Sequence, residues 1–84
     1  MTIFFVYMLK SISSVKKKTY VGYTNNLINR VIKHNTNKGA KYTKGNLWEL
    51  IYFKKFDNKK EAMSYEYKLK KNKILRNTIY KNYK

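Results

Sequence analysis

The stretch TYVGYTNNLINRVIKHN, residues 19–35, sets Arg30 and the chain's one histidine, His34, four positions apart. Residues three or four apart on a helix are neighbours, so the two side chains would act at one place. The choice of arginine matters in a chain whose basic residues are nearly all lysine. A guanidinium is planar and permanently charged, and its fork meets a phosphate through two parallel hydrogen bonds, which an ammonium cannot do. A second feature is Glu66, in the run EAMSYEYKLKK at 61–71. Read as a helix, this run has an apolar stripe defined by Ala62 and Leu69, with Met63 alongside. At about 100° per residue Glu66 falls about 40° from Ala62 and about 60° from Leu69, inside the stripe. An inward carboxylate is costly unless it is paired, protonated or bound to a metal. An ion pair with Arg30 or a lysine is one reading, and a ligand for a hard cation is the other. The remaining acids have ordinary places. Asp57 and Glu61 sit at a helix start, where the helix dipole favours them, and Glu49 lies within a strand.

The elements that must position these groups follow from pattern. Ile3–Leu9 is apolar, β-branched and aromatic, as suits a buried strand. Lys10–Lys18 is polar and basic and reads as a hairpin connection to a second strand, Thr19–Tyr23. Tyr7 and Tyr20 then lie on adjacent strands and can face the same side. Gly22 lacks a side chain inside a strand, which leaves room for a close approach by a ligand or another backbone. Thr24 or Asn25 is expected to cap a helix whose apolar face is Leu27, Ile28, Val31 and Ile32. Arg30 lies about 60° and His34 about 20° to one side of Leu27, at the edge of the core. A sideways-packed arginine stem and a histidine filling the core edge are the structural alternative. Residues 35–46, NTNKGAKYTKGN, form a loop, and Leu47–Phe53 a third strand. Asp57 or Asn58 caps the second helix, through 61–71, and the tail KILRNTIYKNYK can add a short third one with Ile74, Leu75, Ile79 and Tyr80 inward. The expected fold is α/β. It is a single small domain over 1–84, a three-stranded antiparallel sheet flanked by helices in the order β-β-α-β-α, with room for a final α.

Composition narrows the partner. The 84 residues carry 20 Lys+Arg against 4 Asp+Glu, a formal charge of +16. Such a field draws polyanions through counterion release, so nucleic acid is the expected partner. Lysine, asparagine, tyrosine and isoleucine all have A/T-rich codons, so genome bias could raise the same count without selection for binding. There is no cysteine, hence no disulfide frame and no thiolate metal site. No run approaches the roughly 18–20 apolar residues of a membrane span, and IFFVYML has no basic residue before it. An intracellular setting without membrane attachment is expected: cytoplasm or nucleoid, or the nucleus or host cell for a eukaryotic or viral source.

Together these residues resemble the GIY-YIG endonucleases. Phe5-Val6-Tyr7 followed by Tyr20-Val21-Gly22 is similar to the paired strand signatures of that family. Arg30 ten residues after Tyr20, His34 a turn later, and Glu66 on the last main helix match its other motifs. The loop GAKYTKG at 39–45 and the run at 61–71 look like the family's small stand-alone branch. Phe-Val-Tyr replaces Gly-Ile-Tyr with the tyrosine kept, and Asn77 and Asn72 are both candidates for the family asparagine. The resemblance implies hydrolysis of DNA phosphodiesters with one divalent ion, Mg²⁺ or Mn²⁺, in DNA repair or recombination. It implies catalytic roles for Tyr7, Tyr20, Arg30, His34 and Glu66. Glu66 would hold the metal, Arg30 would clamp the scissile phosphate, one tyrosine would activate water while the other orients it, and His34 would support the tyrosine or the phosphate. A lone inward acid agrees with a single-metal site. Gly22, Lys41, Tyr42, Thr43 and Lys44 are the expected nucleic-acid contacts, with Lys16–Lys18 as further phosphate-positioning residues. The expected substrate is double-stranded or branched DNA, with another protein chain as a candidate source of specificity. A non-catalytic or partner-dependent binding module of the same fold is the alternative.

Overall fold

The computed structural model describes residues 2–83. Strands β1 (Phe4–Ser11), β2 (Thr19–Thr24) and β3 (Trp48–Phe56) form one antiparallel sheet in the order β2-β1-β3. Helices α1 (Leu27–Asn35), α2 (Lys59–Lys71) and α3 (Lys73–Asn82) complete the order β-β-α-β-α-α. The third helix foreseen in the tail is present.

The central strand explains its own apolar run. Val6 to Leu9 are all buried, because β1 has a neighbour on each edge and a helical layer on each face. Val6 and Met8 point to one layer, where they meet Val21, Ala62 and Leu69. Tyr7 and Leu9 point to the other, where they meet Trp48, Tyr20, Leu27 and Val31. One sheet thus carries two cores. The α2–α3 pair covers one face and α1 the other. Pairing shifts between Met8 and Leu9 on the β3 side, leaving Ile51 as the extra residue of a bulge. That bulge lets Ile51 and Tyr52 both pack toward the α2 side while Leu50 stays with α1.

Several boundaries differ from expectation. β1 runs on through Lys10 and Ser11, because these residues still pair with Thr19, Glu49 and Trp48. Thr24 is still paired in β2, and its hydroxyl accepts from the Asn26 N–H. The cap of α1 is therefore Asn26, whose side chain accepts from the Asn29 N–H at 3.1 Å, and not Thr24 or Asn25. Ile28 and Ile32 are 77% and 54% exposed, so the inner side of α1 is the narrower line Leu27–Val31–His34. A three-stranded sheet is too narrow to cover the wider apolar face. Met63 and Ile74 are exposed for the same reason. Asn58 caps α2 by accepting from the Glu61 N–H, and returns a bond from its own amide to the Glu61 carboxylate, each at 2.8 Å. Asn72 ends α2 and caps α3. The Arg76 Nη1 donates to the last carbonyls of α2, Leu69 and Lys70.

The loop after α1 is ordered by side chains. Asn35 brackets the start of β3, accepting from the Trp48 N–H at 2.6 Å and donating to the Trp48 carbonyl at 3.0 Å. A single 3₁₀ turn follows at Lys41–Thr43. The Trp48 indole N–H donates to the Thr43 carbonyl at 2.9 Å, which fixes that turn over the α1 face. Among the described residues, no helix is long and apolar enough to cross a membrane.

Candidate active site

Register sets the two tyrosines. Tyr7 pairs with Gly22 and Leu9 with Tyr20, so both phenols rise from the α1 face as diagonal neighbours with ring centroids 6.3 Å apart. The close approach foreseen at Gly22 is made by Tyr7 itself. A Cβ at Gly22 would stand 2.6 Å from the Tyr7 hydroxyl and 3.0 Å from the Tyr20 ring. Gly22 is thus a seat for the two rings and is buried, which removes it from the expected nucleic-acid contacts.

Helix α1 brings His34 beneath this pair. Its ring centroid is 4.9 Å from that of Tyr20, and its Nε2 lies 2.8 Å from the Tyr7 hydroxyl. The imidazole is fully buried, with Nδ1 2.9 Å from the Thr43 hydroxyl. Both ring nitrogens are engaged, so of the two roles foreseen for His34 the tyrosine-supporting one matches the geometry, and no ring atom is left for a phosphate. Thr43 is also fully buried and turned inward. Its expected nucleic-acid contact gives way to this bond. Gly39 closes the cage, since a Cβ there would press on the imidazole, 2.8 Å from Cε1. Gly39, Thr43 and Trp48 had no local pattern marking them as site supports.

Lys41, Tyr42 and Lys44 are exposed on and beside the same turn. Tyr42 stacks on Tyr20 at 6.3 Å and 22°, and leans on Trp48 at 6.1 Å. It therefore continues the aromatic surface outward from Tyr20.

Arg30 on α1 and Glu66 on α2 act electrostatically on the same two phenols from opposite layers. Burial raises the Tyr7 hydroxyl's pKa most, and Tyr20 and Glu66 add to this while Arg30 opposes it. The Tyr20 pKa is raised by burial and then by the Glu66 charge, again opposed by Arg30. His34 is shifted down, first by burial and then by Arg30. The charges of Arg30 and Glu66 thus both reach the two phenols, while the pair makes no ion pair with each other within 4.0 Å among the described residues. Glu66 pairs with Lys70 instead, at 3.6 Å, with its side chain 17% exposed. The Arg30 pairing is set aside, and the lysine alternative holds only as a long contact to a half-exposed lysine.

Among the described residues no group of three or more His, Cys, Asp or Glu gathers to form a closed metal cage. The donor present is one carboxylate at a partly open position. That suits a hard ion such as Mg²⁺ or Mn²⁺, which keeps most of its water and binds through one or two carboxylates. The fit is to an open site, not to a structural one.

A family model described as the GIY-YIG catalytic domain matches residues 3–79. The chain belongs to the GIY-YIG family. Its relatives are UPF0213 proteins. One from Oceanobacillus iheyensis is 58% identical over 52 residues, 61% of this chain and 60% of that protein. Another, from Pediococcus pentosaceus, is 50% identical over 68 residues, 80% of this chain and 68% of that one. The chain thus spans roughly three-fifths to two-thirds of these relatives' own length. The solution NMR structure of the UPF0213 protein BH0048 from Bacillus halodurans is 32% identical, with a TM-score of 0.54. The match covers 94% of this chain and 83% of that one. The small stand-alone branch and the sheet-and-helix architecture expected from the motifs are therefore the ones found. Within this GIY-YIG domain, Tyr7, Tyr20 and His34 touch one another from β1, β2 and α1, and the charges of Arg30 on α1 and Glu66 on α2 act on the two phenols. Among the described residues neither asparagine candidate joins them by a bond. Asn77 accepts from the Lys17 Nζ at 2.9 Å, and Asn72 is spent on the helix cap.

Proposed function

We propose that this chain is a metal-dependent DNA endonuclease that hydrolyses phosphodiester bonds at the Tyr7–Tyr20–Arg30–His34–Glu66 site. The observation that carries the reading is the 2.8 Å hydrogen bond between the Tyr7 hydroxyl and Nε2 of a fully buried His34, beside two phenols that feel the charges of both Arg30 and Glu66.

The Arg30 guanidinium has no hydrogen bond or ion pair among the described residues, where only the backbone N–H of Arg30 is bonded, to the Asn26 carbonyl, so its fork is available to a scissile phosphate. A guanidinium held there also stabilises the extra charge of the pentacovalent transition state. A divalent ion held by Glu66, Mg²⁺ or Mn²⁺, would supply Lewis-acid neutralisation of the phosphate and the departing 3′ oxygen. Tyr7 and His34 form the proton-accepting pair. As water attacks phosphorus, its proton passes to the Tyr7 oxygen while the Tyr7 proton passes to His34 Nε2, leaving an imidazolium. The Arg30 charge lowers the basicity of His34 in the free protein. A bound phosphate offsets that charge, so the base strengthens once substrate is present. Tyr20 is the more open of the two phenols and orients the water. Lys41, Tyr42 and Lys44 would meet the flanking strand, the lysines on phosphate and Tyr42 by stacking on a base.

The test is incubation of the purified chain with supercoiled plasmid, branched DNA and single-stranded DNA in Mg²⁺, Mn²⁺ or EDTA. Nicking in either metal, lost in EDTA and lost in Arg30→Ala with DNA binding largely kept, is expected. Binding without cleavage on every substrate would instead identify a binding module.

A further inference from the structure

A short chain of bonds runs away from the site into the protein. The Thr43 Oγ1 lies 2.8 Å from the Ala40 carbonyl oxygen and 2.9 Å from His34 Nδ1. A carbonyl oxygen has no proton, so the Thr43 hydroxyl donates to it. The hydroxyl oxygen then faces Nδ1 with a lone pair, and Nδ1 must carry the imidazole hydrogen. In a neutral ring Nε2 is then bare and can only accept, which makes Tyr7 the donor at 2.8 Å. The direction of every bond is set by one peptide carbonyl. We infer that Thr43 is a positioning residue that holds His34 as its Nδ1–H tautomer, keeping Nε2 open for the Tyr7 proton. The inference rests on the endonuclease reading only for its effect on cleavage.

The surroundings make this arrangement hard to lose. His34 and Thr43 are both fully buried, the Trp48 indole holds the Thr43 carbonyl, and Gly39 permits the turn to lie against the imidazole. A histidine merely filling space would need its nitrogens bonded but would not need one particular tautomer.

Because the chain has one histidine, its ring nitrogens can be read without ambiguity in a long-range ¹H–¹⁵N correlation spectrum. The expected wild-type spectrum shows a protonated Nδ1 and a pyridine-like Nε2. Thr43→Val keeps the shape but removes the acceptor, and should give mixed tautomers. Its kcat should fall by about 10-fold to 10⁴-fold, the upper figure being the cost of a wrong tautomer in a catalytic triad. KM should hardly move, and Thr43→Ser should restore both the spectrum and the rate. A wild-type spectrum with Nε2 protonated overturns the inference, as does Thr43→Val with one tautomer and full rate. If Thr43→Val fails to fold, the wild-type and Thr43→Ser spectra decide. A chain that cleaves nothing yet shows the Nδ1–H tautomer sinks the endonuclease reading and leaves the relay standing.

A separate observation concerns the other side of Tyr20. Two shallow clefts of about 230 and 210 Å³ share Thr19 and Arg76 as walls. The first opens beside Tyr20 and includes Lys70, and the second adds Lys17, Lys73 and Asn77. Among the described residues no acid lines either cleft. Lys17 is held in place, its Nζ bonded to Asn77 at 2.9 Å and lying 4.4 Å over the Tyr80 ring. A lysine fixed in this way has already lost much of the side-chain freedom that ion pairing would otherwise cost. We infer that this basic trough carries the phosphates of the DNA strand on the side of the site away from Tyr42. It extends the endonuclease reading but is tested by binding alone.

The measurement is salt-titrated affinity for a fluorescent duplex, comparing Lys17→Gln/Lys73→Gln with Lys59→Gln/Lys60→Gln at the opposite end of α2. Loss of two phosphate contacts on a duplex should flatten the log–log salt slope by about 1.8. The control pair should change it by less than half as much. Equal changes would mean that only the overall charge matters, and would overturn the trough.

Discussion

Substituting alanine for Gly22 tests the seat of the two tyrosines. The new Cβ would stand 2.6 Å from the Tyr7 oxygen and 2.8 Å from its Cζ, where ordinary contact begins at 3.4 Å. Tyr7 must therefore retreat by about 0.8 Å, and it is 1% exposed with no open space to take up. A shift of that size in the Tyr7 hydroxyl disturbs a bond that is 2.8 Å long, and as much as 0.8 Å along it would stretch it to roughly 3.6 Å, beyond hydrogen-bond reach. Overpacking of this kind costs about 1–3 kcal/mol. In a chain of this length each kcal/mol moves Tm by about 4–8 °C, so a fall of about 4–24 °C is expected by circular dichroism. Cleavage should fall further than stability, by about 10²–10⁴-fold, the usual contribution of a positioned general base. An unchanged Tm together with unchanged nicking would refute the argument that Gly22 is a glycine for the sake of Tyr7.

Three further outcomes follow from the same geometry. Tyr7→Phe leaves the buried His34 Nε2 without a partner and should lower stability by about 1–3 kcal/mol in denaturant titration, as well as stopping cleavage. His34 is held neutral with its pKa below the ordinary 6.5, so its contribution is fully present above pH 6.5 and lost as pH falls through the lower folded value. Tm should thus decline below pH 6.5 before the carboxylates titrate, and His34→Gln should remove that first part of the decline. Tyr42→Ala should weaken single-stranded DNA binding by about 1–3 kcal/mol, measured by fluorescence titration, with little change in Tm because the ring is 53% exposed.

The parts of this site that could be read from sequence are those set by local period. Apolar runs marked β1 and β3, and a 3.6-residue repeat put Arg30 beside His34 and turned Glu66 inward. The parts that could not be read depend on how distant segments meet. Thr43 reaches His34 only because the Trp48 indole pins its turn and Asn35 ties the start of β3 to the end of α1. In sequence, KYT between lysines looks like a surface loop made for phosphate. Gly22 was marked as unusual, but whether ligand or ring fills the space beside it depends on strand register. Ile28 and Ile32 misled for a different reason. A small sheet has too little area to cover every apolar residue on a helix, so the pattern overstates the core.

Glu66→Gln addresses the central claim most directly, because it removes one charge at the site and little else. Its contact with Lys70 is a long i,i+4 pair at 3.6 Å to a half-exposed lysine, of a kind worth about 0.3–0.5 kcal/mol, so the variant should fold and bind DNA like the parent. Plasmid nicking should be measured across a Mg²⁺ and Mn²⁺ titration for both proteins. The account predicts metal-dependent nicking by the parent and none by Glu66→Gln at any metal concentration. Nicking by Glu66→Gln at the parental rate, or nicking by the parent that persists in EDTA, would contradict it.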